Sequence, residues 1–451
     1  DAVMTVQQAG IIVRMVTGDN IDTARFIAQD CGIITHPRHI ALEGGDFRQA
    51  LEAQEAYKAK HGEDNPDFVE LVKNLRVMAR CQPEDKLELV KFLREHGEVV
   101  GVTGDGSNDG PALKEADVGL AMGIAGTDVA KAAADIIILD DNFSSIVRSV
   151  MWGRCVFDNI RKFLQFQCSV NLCALGIALI GAISEGKEPL KPVQLLWVNL
   201  IMDTMGALAL GTENPKPTLL QRKPYRPDGP LISKVMWRNI IGQGIMQLSI
   251  LLIILYDGVH WFSDRFYNEA GEYMEEKHYT LIFNSFVWFQ FFNEINSRKV
   301  NPFEINFFEG FFENWIFTFI LLVTALFQYF MVELFGSFAS TRHQEWDLWL
   351  VAIAFGLTQL VSGVLLRLWN PDPEVGQVVI SPETFENAAW ISNPELIGAL
   401  FHSYHVKGAK KPKTAANGAE LLEDATETPK ATDVFNPVGE TFAIKVYNLD
   451  A

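Results

Sequence analysis

Six apolar spans in the second half of the sequence constrain the fold more than any other feature. They lie near residues 163–184, 193–211, 238–256, 279–296, 313–335 and 346–368. Several exceed the roughly 18 residues that suggest a bilayer span; the second and fourth are shorter or more polar. An even number of crossings leaves both chain ends on one side of the membrane. Arg154, Arg161, Lys162, Lys216, Arg222, Lys223, Arg226, Arg298, Lys299 and Arg367 gather at one set of span ends, and the opposite loop at 257–278 is acidic. Excess Lys and Arg marks the cytosolic side. Residues before and after the spans are therefore expected in the cytosol.

Upstream, charged residues are frequent and apolar runs alternate with amphipathic stretches. GIIVRMVTGD reads as a buried strand ending in a turn, and NIDTARFIAQDCGI as the helix after it. LRVMARC, EVVGVTGDG, VGLAMG and DIIILDD read as further strands, PEDKLELVKFLREHG and PALKEAD as helices. Near-continuous apolar strands separated by helices imply a parallel, Rossmann-like sheet covered on both faces. The polar stretch 43–66 is expected to be an exposed, partly helical insertion. The organisation is thus an α/β domain over 1–160, an all-α transmembrane bundle of six helices over 161–368, and a cytosolic tail over 369–451. That tail is rich in Pro, Ala, Thr and Glu and reads as largely disordered. Within it, VGETFAIKVYNL has the pattern of a strand or a docking motif. KGAKKPK reads as a solvated linker rather than a lipid or calmodulin contact, because no basic amphipathic helix surrounds it.

The net charge of −18 argues against a nucleic-acid partner, which needs a basic surface. The five cysteines, Cys31, Cys81, Cys155, Cys168 and Cys173, show neither CxxC nor zinc-finger spacing and read as reduced thiols. The chain begins DAVMTVQQAG, with neither an initiator Met nor a signal-peptide pattern, and is expected to be a piece of a longer protein.

Two strands end in the same triad, Thr17-Gly18-Asp19 and Thr103-Gly104-Asp105. Ligands gather at the carboxyl ends of parallel strands. Threonine hydroxyls and backbone amides suit phosphate oxygens, glycine allows close approach, and carboxylates suit Mg²⁺. For the first triad alone, a turn or cap role for Asp19 suffices. The second continues as Gly106-Ser107-Asn108-Asp109-Gly110-Pro111, too long and specific a string for a turn. Lys86, on the preceding βα unit, is placed to neutralise a phosphoryl oxygen.

TGDGSNDGPALKEADVGLAMG, with MVTGDN and CQPEDK upstream, resembles the hinge and phosphorylation domain of P-type cation ATPases, which is haloacid-dehalogenase-like. PVQLLWVNLIMDTMGALALGTENP points to the calcium-pumping branch. FLQFQCSVNLCAL and FFNEINSR resemble the type IIB pumps, plasma-membrane-type or fungal vacuolar. The resemblance covers roughly residues 1–370. It implies that Asp105 holds Mg²⁺, that Asn108 and Asp109 support and face the phosphate, that Lys86 contacts the phosphoryl group, and that Thr17, Gly18 and Asp19 form the loop holding it. ATP would be the fuel, Ca²⁺ the cargo and H⁺ the counter-ion, at a vacuolar or, alternatively, a plasma membrane. The six spans would be the family's helices five to ten. The family's DKTGT phosphorylation motif does not occur in the sequence. Its nucleotide-binding and actuator domains and first four helices would lie upstream.

Asn199 and Asp203 are four apart, so on an α-helix they share a face. An intramembrane Asp usually marks a transport path, and Asn and Asp oxygens suit a hard cation. The alternative is a polar clamp with Asn171. The choice of Ca²⁺ over Na⁺ or H⁺ rests on the resemblance alone. Matching motifs residue by residue places Ala174, Met202 and Gln290 where two-site calcium pumps carry Glu, Thr and Glu. This implies a single Ca²⁺ site. Glu294 is expected at the cytosolic edge of its span, snorkelling to water. A pump for another cation, a phosphatase-type domain on an inert anchor, and a non-transporting regulatory partner remain the alternatives.

Overall fold

The computed structural model describes residues 1–369, apart from 187, 223, 226–228, 269 and 301–305, and the backbone of 440–446. Two compact units result, one built on Asp1–Ser149, the other on Val150–Leu219 and Asp228–Val378.

The first unit is an α/β layer structure. Its strands are β1 (Ile11–Thr17), β2 (Ile40–Glu43), β3 (Leu75–Ala79), β4 (Val99–Gly104), β5 (Val118–Met122), β6 (Ile136–Ile138) and β7 (Glu440–Val446). They form one sheet in the order β2-β3-β1-β7-β4-β5-β6. Seven helices accompany them: α1 (Ala2–Gln8), α2 (Ile21–Asp30), α3 (Gly44–His61), α4 (Pro66–Asn74), α5 (Pro83–Glu95), α6 (Gly110–Glu115) and α7 (Asp128–Ala133). Val16, Met78, Val102 and Ala121, from four strands, share one buried core with Leu89 and Leu93 of α5. Near-continuous burial along β1 and β3 explains why those runs are apolar without alternation.

Two expectations need correction. The sheet is not wholly parallel: β7 pairs antiparallel with both β1 and β4, while the four other pairings are parallel. An antiparallel partner needs no crossover helix, so a strand remote in sequence can enter this way. It falls in the segment whose pattern suggested a strand or docking motif; the rest of the tail lies outside the described residues, KGAKKPK included. Nor is 43–66 simply an exposed insertion. It forms α3 and part of α4's approach, and Phe47 is fully buried with its ring centroid 5.9 Å from that of Phe68. One aromatic anchor outweighs the polar composition around it.

The second unit is helical. It comprises α8 (Phe143–Glu185), α9 (Pro192–Leu196), a π-helical segment Trp197–Met202, α10 (Asp203–Gly211), α11 (Lys234–Trp261), α12 (Ser263–Phe266), α13 (Glu275–Ser297), α14 (Trp315–Glu333), α15 (Gly336–Ala339) and α16 (Trp346–Leu368). Helices occupy all six expected positions. Among the described residues, five are long and apolar enough to cross a membrane: Phe143–Ser184, Pro192–Gly211, Lys234–Trp261, Trp315–Glu333 and Trp346–Leu368. The fourth expected span, α13, is not one of them. It carries His278, Asn284, Gln290, Asn293, Glu294 and Asn296, all buried. Surrounded by protein rather than lipid, it has no need of an apolar surface. Small residues let α16 approach it closely. A Cβ at Gly356 would lie 2.9 Å from the Trp288 carbonyl oxygen, and one at Gly363 would lie 2.5 Å from the Asn296 side chain. Leu175, Leu179 and Ile183 of α8 face outward, as lipid contact requires.

Candidate functional site

In the first unit, β1 ends in Thr17 and β4 carries Thr103 as its last residue but one, both buried. Thr17 opposes Glu440 of β7, and Thr103 opposes Phe442, so the two Thr-Gly-Asp loops leave the sheet at the same edge. One strand separates them, which sets β1 and β4 roughly 10 Å apart. The first loop is fixed from both sides. Thr17 Oγ1 accepts from Asp19 N at 3.1 Å. The carbonyls of Asp19 and Thr17 accept from Arg80 N at 2.9 Å and Cys81 N at 3.0 Å. Gly18 is exposed, and nothing lies within 4 Å of where its Cβ would be, so its backbone is open to approach.

The second loop folds back on itself. Lys86 Nζ donates to Asp109 Oδ1 at 2.8 Å, with both residues buried. Asp109 Oδ2 accepts from Gly106 N at 3.3 Å. A Cβ on Gly104 would meet Asp109 Cβ at 2.5 Å, so glycine is required for this closure. Asp105 is half-buried and Asn108 exposed. The Asp105 carbonyl accepts from Thr127 N at 2.8 Å, tying the loop to the start of α7. The structure therefore brings Lys86, Asp105 and Asp109 together at the tip of β4 and places Thr17, Gly18 and Asp19 at the same sheet edge. Lys86 faces a carboxylate here rather than open space. All five cysteines are free thiols. Burial, with Asp85 beside it, pushes the Cys81 thiol up to about 12, so it stays protonated and inert.

In the second unit, Asp203 is 5% exposed, and its Oδ2 accepts from Gln167 Nε2 of α8 at 2.8 Å. Its Oδ1 is buried with no hydrogen-bond partner. Asn199 does not join it: Asn199 is exposed. The reason is local. Trp197–Met202 is π-helical, and i→i+5 bonding breaks the α-helical spacing on which the pairing rested. Asn171 is likewise exposed and makes no clamp with Asp203. Ala174, Met202 and Gln290 are buried, and Gln290 Nε2 donates to Gln247 Oε1 at 3.0 Å. Glu294 does not reach water at a membrane edge. It is 1% exposed, because the last turn of α13 is covered through Asn296, Ser297, Arg298 and Lys299. Nearby, Gln165, Asn239, Asn293, Asn296 and Arg367 line a polar cavity of about 10 Å³, enough for one water.

Comparison with known proteins shows what this bundle resembles. Residues 187–369 match the family model described as cation transporting ATPase, C-terminus. Those residues are similar to the C-terminal region of cation-transporting ATPases. The likeness extends upstream of it. The chain is 48% identical over 368 residues to a probable calcium-transporting ATPase 8, plasma membrane-type, of rice, covering 81% of this chain and 34% of that protein. It is 48% identical over 367 residues to calcium-transporting ATPase 4, plasma membrane-type, of Arabidopsis thaliana, with 81% and 34% covered. It is also 48% identical over 375 residues to the human plasma membrane calcium-transporting ATPase 1, with 81% and 30% covered. The chain spans about a third of the length of the curated relatives it matches.

Within the matched region and the helix before it, sequence reasoning missed Gln167, Gln247 and the burial of Glu294. A signal was present: each is polar in or beside an apolar span, where an unsatisfied group is costly. Just beyond α10, Glu213 is bridged by Lys162 Nζ at 2.6 Å and lies 3.5 Å from Arg298. Burial would raise its pKa, but Lys162 with Arg298 and Lys216 outweighs that and holds it below the usual carboxylate range.

Proposed function

We propose that the chain is the phosphorylation-domain and membrane portion of an ATP-driven Ca²⁺ pump, with the first unit haloacid-dehalogenase-like and an aspartyl-phosphate as intermediate. Asp203 carries this reading. It is a carboxylate buried inside an apolar bundle with one oxygen unpartnered, and an anchor or a soluble-type phosphatase has no use for it.

The residues at the strand ends fit Mg²⁺ by donor chemistry: Asp105 and Asp19 offer hard oxygens, and Gly18 leaves its backbone open. Bound there, Mg²⁺ supplies positive charge against phosphoryl oxygens. Lys86 supplies a second, fixed positive charge, and Asp109 holds its ammonium in place. Thr17 and Gly18 present a hydroxyl and open backbone to a phosphate. In the bundle, Gln167 orients Asp203 toward the cargo and leaves Oδ1 for the ion. Exposed Asn199 is available to a helix contributed from elsewhere in the pump. H⁺ counter-transport belongs to the same reading. The relatives' names favour the plasma membrane over the vacuole.

The test is a chimera in which this chain replaces the matching part of the Arabidopsis relative. Asp105→Asn is expected to lose Mg²⁺-dependent phosphorylation from ATP, since an amide cannot replace the charge. Normal phosphoenzyme formation in that variant refutes the assignment. Phosphorylation that responds to Na⁺ rather than Ca²⁺ makes the cargo a different cation.

A further inference from the structure

The connector 306–314, which leads into α14, carries four phenylalanines in two pairs. Phe307 and Phe311 pack against the core of the helical unit. Phe308 is exposed, and Phe312 is 84% exposed. The inward face is pinned just past the end of α13. Arg298 is buried there and donates through Nη2 to the Gly310 carbonyl at 3.0 Å. Its guanidinium lies 5.7 Å from the Phe311 ring centroid and 4.8 Å from that of Phe317. Lys299 Nζ lies 3.1 Å from Glu309. Gly310, at φ +65°, takes the left-handed turn between the two pairs. The connector is thus tied down on one face while it displays phenylalanine on the other.

The displayed rings are not isolated. Trp315, 70% exposed, follows them, and its ring centroid is 6.3 Å from that of Phe319. Trp315, Phe319, Leu322 and Leu326 are all exposed, and their spacing of four, three and four sets them on one face of α14. The patch on the connector therefore continues the outward stripe of a helix long and apolar enough to cross a membrane. That helix has 19 residues. At 1.5 Å per residue it is about 28 Å long, against about 30 Å of bilayer hydrocarbon. Its whole length is needed for the crossing, so Trp315 stands at the hydrocarbon boundary and the connector is left at headgroup level, where aromatic rings are favoured.

We propose that the 306–314 connector is a lipid-interface anchor: Phe308 and Phe312 enter the boundary between headgroups and acyl chains beside Trp315, and Arg298 holds the connector from the protein side. The rings thereby fix the depth of α14, and Arg298 ties the end of α13 to the same level.

Photo-cross-linking in the chimera described above, reconstituted in phosphatidylcholine nanodiscs, tests this. It reads neither Ca²⁺ nor ATP, so a chimera that fails to pump still decides it. Phe312→p-benzoylphenylalanine is compared with Glu55→p-benzoylphenylalanine, an exposed position on α3 of the first unit. After irradiation, mass spectrometry is expected to find phospholipid attached at position 312 in roughly fivefold or greater yield than at position 55. Equal yields overturn the proposal. So does a cross-link from position 312 to another segment of the chimera or to a second copy, because protein then covers the patch. Should the Phe312 variant not be recovered, Phe308→p-benzoylphenylalanine is read in the same way.

Discussion

Gln167 Nε2 donates to Asp203 Oδ2 at 2.8 Å, from a helix 36 residues earlier in the chain. This bond fixes which carboxylate oxygen is used by the protein and which is left for something else. It also replaces the Asn199 partnership that helical spacing suggested, because the π-helical segment ends at Met202 and turns Asn199 outward. A glutamine amide is a fitting partner: it steadies the anion through one donor without neutralising it.

Gln167→Leu removes that donor and leaves Asp203 with none. The cost in the absence of Ca²⁺ is about 1–3 kcal/mol, the penalty for an unsatisfied buried acceptor. Thermal unfolding of the chain in detergent is expected to show a lower midpoint for the variant, with most of the loss recovered at saturating Ca²⁺. An equal loss at all Ca²⁺ concentrations means that Gln167 acts through packing alone.

The Lys86–Asp109 pair is buried on both sides. Lys86→Met strands a carboxylate and is expected to destabilise by about 3–5 kcal/mol. The double variant Lys86→Met, Asp109→Asn removes both charges and is expected to recover much of that. Stability measurements on the singles and the double close the cycle. If the double is as unstable as the sum of the singles, the pair is not coupled.

Asp141 accepts from the backbone N–H groups of Gly123, Ile124 and Ala125, at 2.6, 3.1 and 2.7 Å for the shortest bond to each. Slight burial works to raise its pKa, but these three donors outweigh it and hold it below the usual carboxylate value. A folded-state pKa below the unfolded one means the stabilisation is present above the unfolded value and is lost as pH falls through the folded one. The stability difference between the unmodified chain and Asp141→Asn is therefore expected to be constant near neutrality and to shrink below about pH 4. A difference independent of pH down to about 2 contradicts this.

Ion stoichiometry follows from Ala174 and Met202, both buried and without an oxygen suited to Ca²⁺, and from Gln290, uncharged and already engaged by Gln247. The chimera is expected to occlude one Ca²⁺ per phosphorylation site. A count near two requires ligands beyond Asp203, with exposed Asn171 the first to examine.

What the sequence made legible was local. The apolar runs of β1 and β4, their Thr-Gly-Asp ends, and the positions of six helices follow from periodicity and turn chemistry within a few residues. What it hid depends on which faces pack. Helical spacing grouped Asn199 with Asp203, but the π-helical segment between them obeys another period. Glu294 lies near a predicted span end, and only the covering of α13 by its neighbours shows that it has no route to water. The antiparallel entry of β7 joins residues some 430 apart in sequence, and no local pattern encodes that register.

The central claim is that Asp203 lies on the path of an ATP-driven Ca²⁺ transporter. ATP-dependent ⁴⁵Ca²⁺ accumulation in sealed vesicles carrying the chimera measures it directly. The unmodified chimera is expected to accumulate Ca²⁺ against a gradient, and Asp203→Asn, expressed and inserted to the same level, to accumulate none. Uptake by Asp203→Asn at the unmodified rate, or no ATP-dependent uptake by either, contradicts the account.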